Sequence, residues 1–137
     1  MAHNYILIVD DSEDYRAILR EQSLRRGLVT MDFDLPSSAL EHLLKIDVLP
    51  YGYLVDMRIQ SFPPDNPIPK RIYEYVQSRR GPTENFYFMT AHISHHDREV
   101  IQETGAKIVL KEFGEPGSIT IEDILDQWAN EISRMSR

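Results

Sequence analysis

Short apolar runs alternate along this chain with longer amphipathic ones. Tyr5-Ile-Leu-Ile-Val9 is apolar without a break, the mark of a strand covered on both faces, and it stops abruptly at Asp10-Asp11. Ser12 to Arg26 follows as a helix with acids in its first turn and Gly27 just past its end. Leu28 to Phe33 predicts a second strand, with Val29, Met31 and Phe33 on one face. Ser37 or Ser38 can cap a short helix that turns Ala39, Leu40, Leu43 and Leu44 inward. Tyr53-Leu-Val55 is a third strand and ends in Asp56.

From Gln60 to Pro69 the chain carries Pro63, Pro64, Pro67 and Pro69, which forbid a regular helix or ladder there. Pro69 suits the first turn of a helix over Lys70–Arg80, with Gly81 closing it. Phe86 to Met89 is a fourth strand ending at Thr90, and Ser94 to Thr104 a helix stopped by Gly105. Ile108-Val-Leu110 is a fifth strand ending at Lys111. Thr120 to Met135 closes the sequence as a helix, with Ile121, Ile124, Leu125, Trp128, Ile132 and Met135 on one buried stripe.

Five strands alternating with five helices predict a (βα)5 α/β fold, a doubly wound five-stranded parallel sheet with right-handed crossovers. In such sheets functional groups gather at the carboxyl ends of the strands, where the strand order reverses. Here those ends carry Asp10 and Asp11, Asp56, Thr90 and Lys111. Three carboxylates, a hydroxyl and an ammonium therefore meet at one edge.

Length and composition narrow the setting. One domain accounts for 137 residues, and 42% hydrophobic with 27% charged residues suits a globular chain able to bury a core. The net charge of -7 opposes nonspecific attraction to nucleic acid or anionic lipid. With no cysteine, disulfides, thiolate nucleophiles and zinc–cysteine sites are excluded. Tyr5–Val9 is too short for a bilayer span and lacks a signal-cleavage pattern, so a cytoplasmic protein is expected.

Three carboxylates in one pocket repel, each pair by about 4 kcal/mol at about 4 Å and an effective dielectric near 20. Such a cluster must hold a proton or a hard cation, and all-oxygen ligation favours Mg²⁺. A phosphoryl group arriving on a carboxylate needs that metal, an ammonium and a hydroxyl donor around its oxygens. Asp11 can hold the metal, Lys111 can pair with a phosphate oxygen and Thr90 can donate. Asp56, ending the central strand, is the expected nucleophile of an acyl-phosphate site.

The acidic pair after Ile6–Val9, Asp56 in Tyr53-Leu-Val-Asp-Met-Arg58, Thr90 in Phe88-Met-Thr-Ala91 and Lys111 after Ile108–Leu110 resemble, in this order, the receiver domain of bacterial response regulators, the CheY-like superfamily. The likeness spans nearly the whole chain, 1–137 as a single receiver domain without an output domain. It implies the flavodoxin-like fold and phosphotransfer to Asp56 from a phosphohistidine on a sensor histidine kinase or phosphotransfer protein. It also implies Mg²⁺ held by Asp11, Asp56 and the backbone carbonyl of Arg58, with Asp10 acting mainly through water. Chemistry is then limited to self-phosphotransfer and autodephosphorylation, and output is a phosphorylation-dependent contact with another protein. A second copy of the chain is among the possible partners.

The sequence departs from the family in four places. Glu112 follows Lys111 where a proline on a cis bond is usual, so a trans bond and an altered loop are expected. Ile108 occupies the position of a switching aromatic, Gln60 replaces a proline, and the loop to Pro69 is long. Ile108 and Glu112 speak for an alternative, a pseudo-receiver scaffold that works without phosphorylation, and the intact acids and Lys111 speak against it. A phosphatase similar to the haloacid-dehalogenase superfamily uses the same residue types, but its nucleophile ends the first strand and its acidic pair comes late.

Other features read as structure. His92, His95 and His96 suit an exposed loop and first helical turn better than a transition-metal site. In the family the residue two past the threonine flanks the phosphoryl group, so His92 with Arg58 is expected to tune its lifetime. Lys70-Arg71 and Arg79-Arg80 bracket one helix as a solvated face, and Trp128 belongs to the core.

Overall fold

The computed structural model describes residues 5–57, 68–79, 81, 83–91, 95–111 and 119–135, without the side chains of 68, 96, 97 and 100–102. Arg58, the stretch 60–67, His92, the His96 side chain and Glu112 thus lie outside the described residues.

Five strands, β1 (Tyr5–Val9), β2 (Val29–Phe33), β3 (Gly52–Asp56), β4 (Phe86–Thr90) and β5 (Lys107–Leu110), alternate with helices α1 (Glu13–Arg25), α2 (Pro36–Lys45), α3 (Ile68–Ser78), α4 (His95–Thr104) and α5 (Ile121–Met135). All strand pairs are parallel, in the order β2-β1-β3-β4-β5. The chain moves outward from β1 to β2, then returns to place β3 on β1's other side, so the order reverses between β1 and β3.

Side-chain alternation divides the core into two layers. Ile6, Ile8, Leu54, Met89 and Val109 face α1 and α5, packing with Leu19, Ile124, Leu125 and Trp128. Leu7, Val9, Tyr53, Val55, Phe86 and Phe88 face α2 and α3, packing with Leu43, Ile72 and Val76. The second layer is the more aromatic: Tyr53 stacks on Phe86 at 5.0 Å between ring centroids, and Tyr73 meets Phe86 edge-on at 5.1 Å. Both faces of β1 and β3 are covered, which is why their sequences run apolar without alternation. At the start of β3, Gly52 lies directly under Trp128; a Cβ there would meet the indole at 2.8 Å.

The helix ends follow local chemistry. Ser12 caps α1, its Oγ accepting the Tyr15 N–H at 3.2 Å. Gly27, at φ 76°, closes α1 in a Schellman turn, with Leu28 N–H on the Ser23 carbonyl and Gly27 N–H on that of Leu24. Thr120 and Asp123 exchange hydrogen bonds in a reciprocal cap at the start of α5.

Several expectations are corrected. Neither Ser37 nor Ser38 caps α2; Leu35 is its N-cap, without a side-chain bond, and Pro36 opens the first turn. Leu44 is 67% exposed, because the α2 stripe runs through Ala39 and Leu43 and Leu44 lies a step around the helix. Val29 and Met31 are also exposed, since β2 is an edge strand and Phe33 is the member of that face that packs on the core. The α5 stripe ends at Ile132, leaving Met135 half exposed in the last turn. Arg79 is more than a solvated charge: it donates to the carbonyls of Leu43, Ile46 and Asp47, closing the C-terminal end of α2.

Candidate functional site

The period of two that builds the layers also builds the site. Asp10 continues the Ile6–Ile8 face of β1, Asp56 the Leu54 face of β3, and Lys111 the Val109 face of β5, so all three emerge at the carboxyl edge on the α1/α5 side. Thr90 continues the Phe86–Phe88 face of β4 and is fully buried. Its carbonyl accepts the Lys111 N–H at 2.8 Å, tying the ends of β4 and β5 together.

Asp10, Asp11 and Asp56 each offer a carboxylate oxygen within 4.8 Å of the others, with Asp10 and Asp56 buried and Asp11 exposed. Lys111 Nζ lies between the buried pair, 2.6 Å from Asp10 Oδ2 and 3.0 Å from Asp56 Oδ2. The sequence paired this ammonium with phosphate; in the structure it neutralises carboxylates, the counter-charge that a proton or metal was expected to supply. Three carboxylates against one ammonium still leave two net negative charges. That remainder, on hard oxygen donors with one acid open to water, fits a divalent cation such as Mg²⁺.

The β1–α1 turn is fixed by its backbone. The Asp10 N–H donates to the Phe33 carbonyl at 3.0 Å, and the Ser12 N–H donates to Asp10 Oδ1 at 2.9 Å. Arg16 donates to the Asp10 carbonyl at 2.7 Å while pairing with Asp32 on β2 at 3.0 Å. Arg20 reaches the same Asp32 oxygen at 2.8 Å. Asp10 Oδ1 thus accepts a backbone hydrogen bond and Oδ2 faces the Lys111 ammonium as an ion pair, which together offset part of the cost of burying this group.

Tyr15, in the first turn of α1, reaches across to Lys111. Its hydroxyl donates to the Lys111 carbonyl at 3.1 Å, and the Lys111 ammonium lies 4.8 Å from the centre of its ring. Burial pushes the Lys111 ammonium down, but its hydrogen bonds to Asp10 and Asp56 and their charges outweigh burial, and the net shift is upward. Burial raises the Tyr15 phenol, and the charges on Asp10 and Asp56 raise it further. A cavity of about 100 Å³ between α1 and α5 is lined by Tyr15, Lys111, Leu19 and Leu125, among others.

Sequence reasoning missed Tyr15 and Arg16. An aromatic in a first helical turn beside an acidic strand end was the available signal for Tyr15; for Arg16, whose partners are a backbone carbonyl and an acid on the neighbouring strand, there was none. Ile108 is half-buried against the second layer. His95 is exposed and faces Glu99 at 3.2 Å, as expected of a solvated histidine.

No protein-family model and no curated protein matches this sequence. Solved structures do. A response regulator receiver protein from Pseudoalteromonas atlantica is similar over 97% of this chain and 99% of its own, with a TM-score of 0.68 and 16% identity. A CheY-like receiver domain protein from Methanospirillum hungatei covers 98% of each chain, with a TM-score of 0.69 and 16% identity. Vibrio cholerae chemotaxis protein CheY4 covers 97% of this chain and 98% of its own, at 0.67 and 16%. Identities this low speak to architecture alone, and by architecture this chain has the CheY-like receiver fold.

Proposed function

We propose that this protein is a phosphoacceptor receiver in which Asp56 takes a phosphoryl group from a phosphohistidine on a histidine kinase or phosphotransfer protein. One observation carries the reading: the carboxylates of Asp10, Asp11 and Asp56 converge within 4.8 Å, with Lys111 Nζ 3.0 Å from the acceptor. A carboxylate oxygen of Asp56 attacks the phosphorus, the P–N bond breaks, and its electron pair leaves with the imidazole nitrogen, which takes up a proton. Lys111 shifts its pairing from the acids toward the phosphoryl oxygens, and the Thr90 hydroxyl donates to one of them. Asp10, Asp11 and Asp56, with the carbonyl of Arg58 that the family resemblance implies, would hold Mg²⁺. Bound there, the ion supplies a Lewis acid that offsets the charge gathering on the transferred group. Phosphorylation replaces one negative charge on Asp56 with about two, enough to rearrange a surface that a partner reads. Among the described residues no helix is long and apolar enough to cross a membrane.

The test is incubation with Mg²⁺ and a small phosphodonor such as acetyl phosphate, followed by intact-mass measurement. One phosphoryl group is expected on the wild type and none on Asp56→Asn. Folded protein that gains no mass from several donors would sink the proposal. That outcome selects the scaffold reading, which Ile108 and Glu112 favour and the intact acids and Lys111 oppose.

A further inference from the structure

We infer that Tyr15 is a positioning residue that holds the Lys111 ammonium at Asp10 and Asp56. The inference rests on the proposed receiver chemistry for its consequence, but its geometry stands independently. Lysine carries its charge on a flexible four-carbon stem, and a strand end fixes only its Cα. Something must select the one orientation that delivers Nζ to Asp56. Tyr15 contacts Lys111 twice, through its hydroxyl on the backbone carbonyl at 3.1 Å and through its ring 4.8 Å from the ammonium. The lysine is thus held at both ends, its stem running alongside the ring.

Tyr15 is itself well anchored. Its N–H is bound by the Ser12 cap, its ring packs against the first core layer, and Ser12 is tied back to Asp10. One short segment, Asp10 to Tyr15, therefore supplies a carboxylate for the ammonium and a clamp for the stem. The cavity beside them makes the clamp necessary. Lined by both Tyr15 and Lys111, it offers the stem space to swing away from Asp56 once the ring is gone. The Lys111 side chain is 18% exposed, and the Tyr15 ring lies 4.8 Å from its ammonium as part of that cover.

The experiment compares Tyr15→Leu, Tyr15→Phe, Lys111→Met and the Tyr15→Leu/Lys111→Met pair with wild type. With acetyl phosphate and Mg²⁺, Tyr15→Leu is expected to lower the maximal rate about tenfold at unchanged half-saturation, because a misplaced charge affects the transfer and not donor binding. Tyr15→Phe, keeping the ring, should lose about threefold. In the Lys111→Met background the Tyr15→Leu loss should vanish; equal losses in both backgrounds would overturn the inference. In parallel, acylation of Lys111 is measured by peptide mapping against exposed Lys45 in the same molecule. Tyr15→Leu should speed it about fivefold while Tyr15→Phe stays near wild type; unchanged protection in Tyr15→Leu overturns the clamp. This second readout needs no phosphorylation, so a wild type that never gains phosphate defeats the receiver reading while acylation alone decides on Tyr15.

Discussion

Trp128 in the layer under α5 and Asp10 at the carboxyl rim of the sheet are both almost wholly buried, yet burial acts on them with opposite sign. Withdrawing about 200 Å² of indole from water stabilises the fold by about 5 kcal/mol at about 25 cal/mol/Å². Withdrawing a carboxylate costs several kcal/mol, and beside a second carboxylate about 4 kcal/mol more at about 4 Å. Lys111 offsets much of this by lying between the two acids. Packing explains the layers completely in these terms. The rim is different: its buried acids carry desolvation and repulsion costs that no apolar packing repays and that the Lys111 ammonium offsets.

The contrast can be broken in three ways, from the largest effect down. Trp128→Ala should lower unfolding free energy by about 3–5 kcal/mol, read from denaturant midpoints; a loss under about 1 kcal/mol would mean that the layer does not depend on the indole as described. Alkaline pH comes next. Lys111, Tyr15 and Tyr53 all have pKa values raised in the fold, burial being the main cause for the two tyrosines, and the acids' hydrogen bonds overcoming burial for Lys111. Each holds its proton more tightly folded than unfolded, so its contribution is full below about pH 10 and fades as pH rises through the folded values. Melting temperature should therefore fall increasingly steeply above about pH 10, and less so in Lys111→Met. A flat profile would show that the rim is less buried than it looks. The smallest effect sharpens the account of the rim: Mg²⁺ at ten times its Kd should add about 1.4 kcal/mol, or about 5 °C in Tm. Asp11→Asn should abolish that response, and a preserved response would move the metal elsewhere.

Much of this was legible in the sequence because unbroken apolar runs report two-sided burial. β1, β3 and β4 were placed to within a residue or two for that reason, and the acids that end β1 and β3 marked the rim. Edges were harder. Val29, Met31 and Leu44 are as hydrophobic as any core residue, and their exposure depends on what the rest of the fold fails to cover. Composition could supply the charges at the rim but not their pairing. That Lys111 would rest on Asp10 and Asp56, that Tyr15 would lie along it, and that Arg79 would close α2 all depend on contacts between residues far apart in sequence.

Gly52 carries one last consequence. It opens the strand whose other end is Asp56, and the indole of Trp128 fills the space where its side chain would be. A Cβ at position 52 would have to displace the indole, and with it the part of α5 that carries Trp128. The space at residue 52 and the size of the ring at residue 128 are thus coupled. A bulkier side chain at 52 should be tolerated only with a smaller ring at 128.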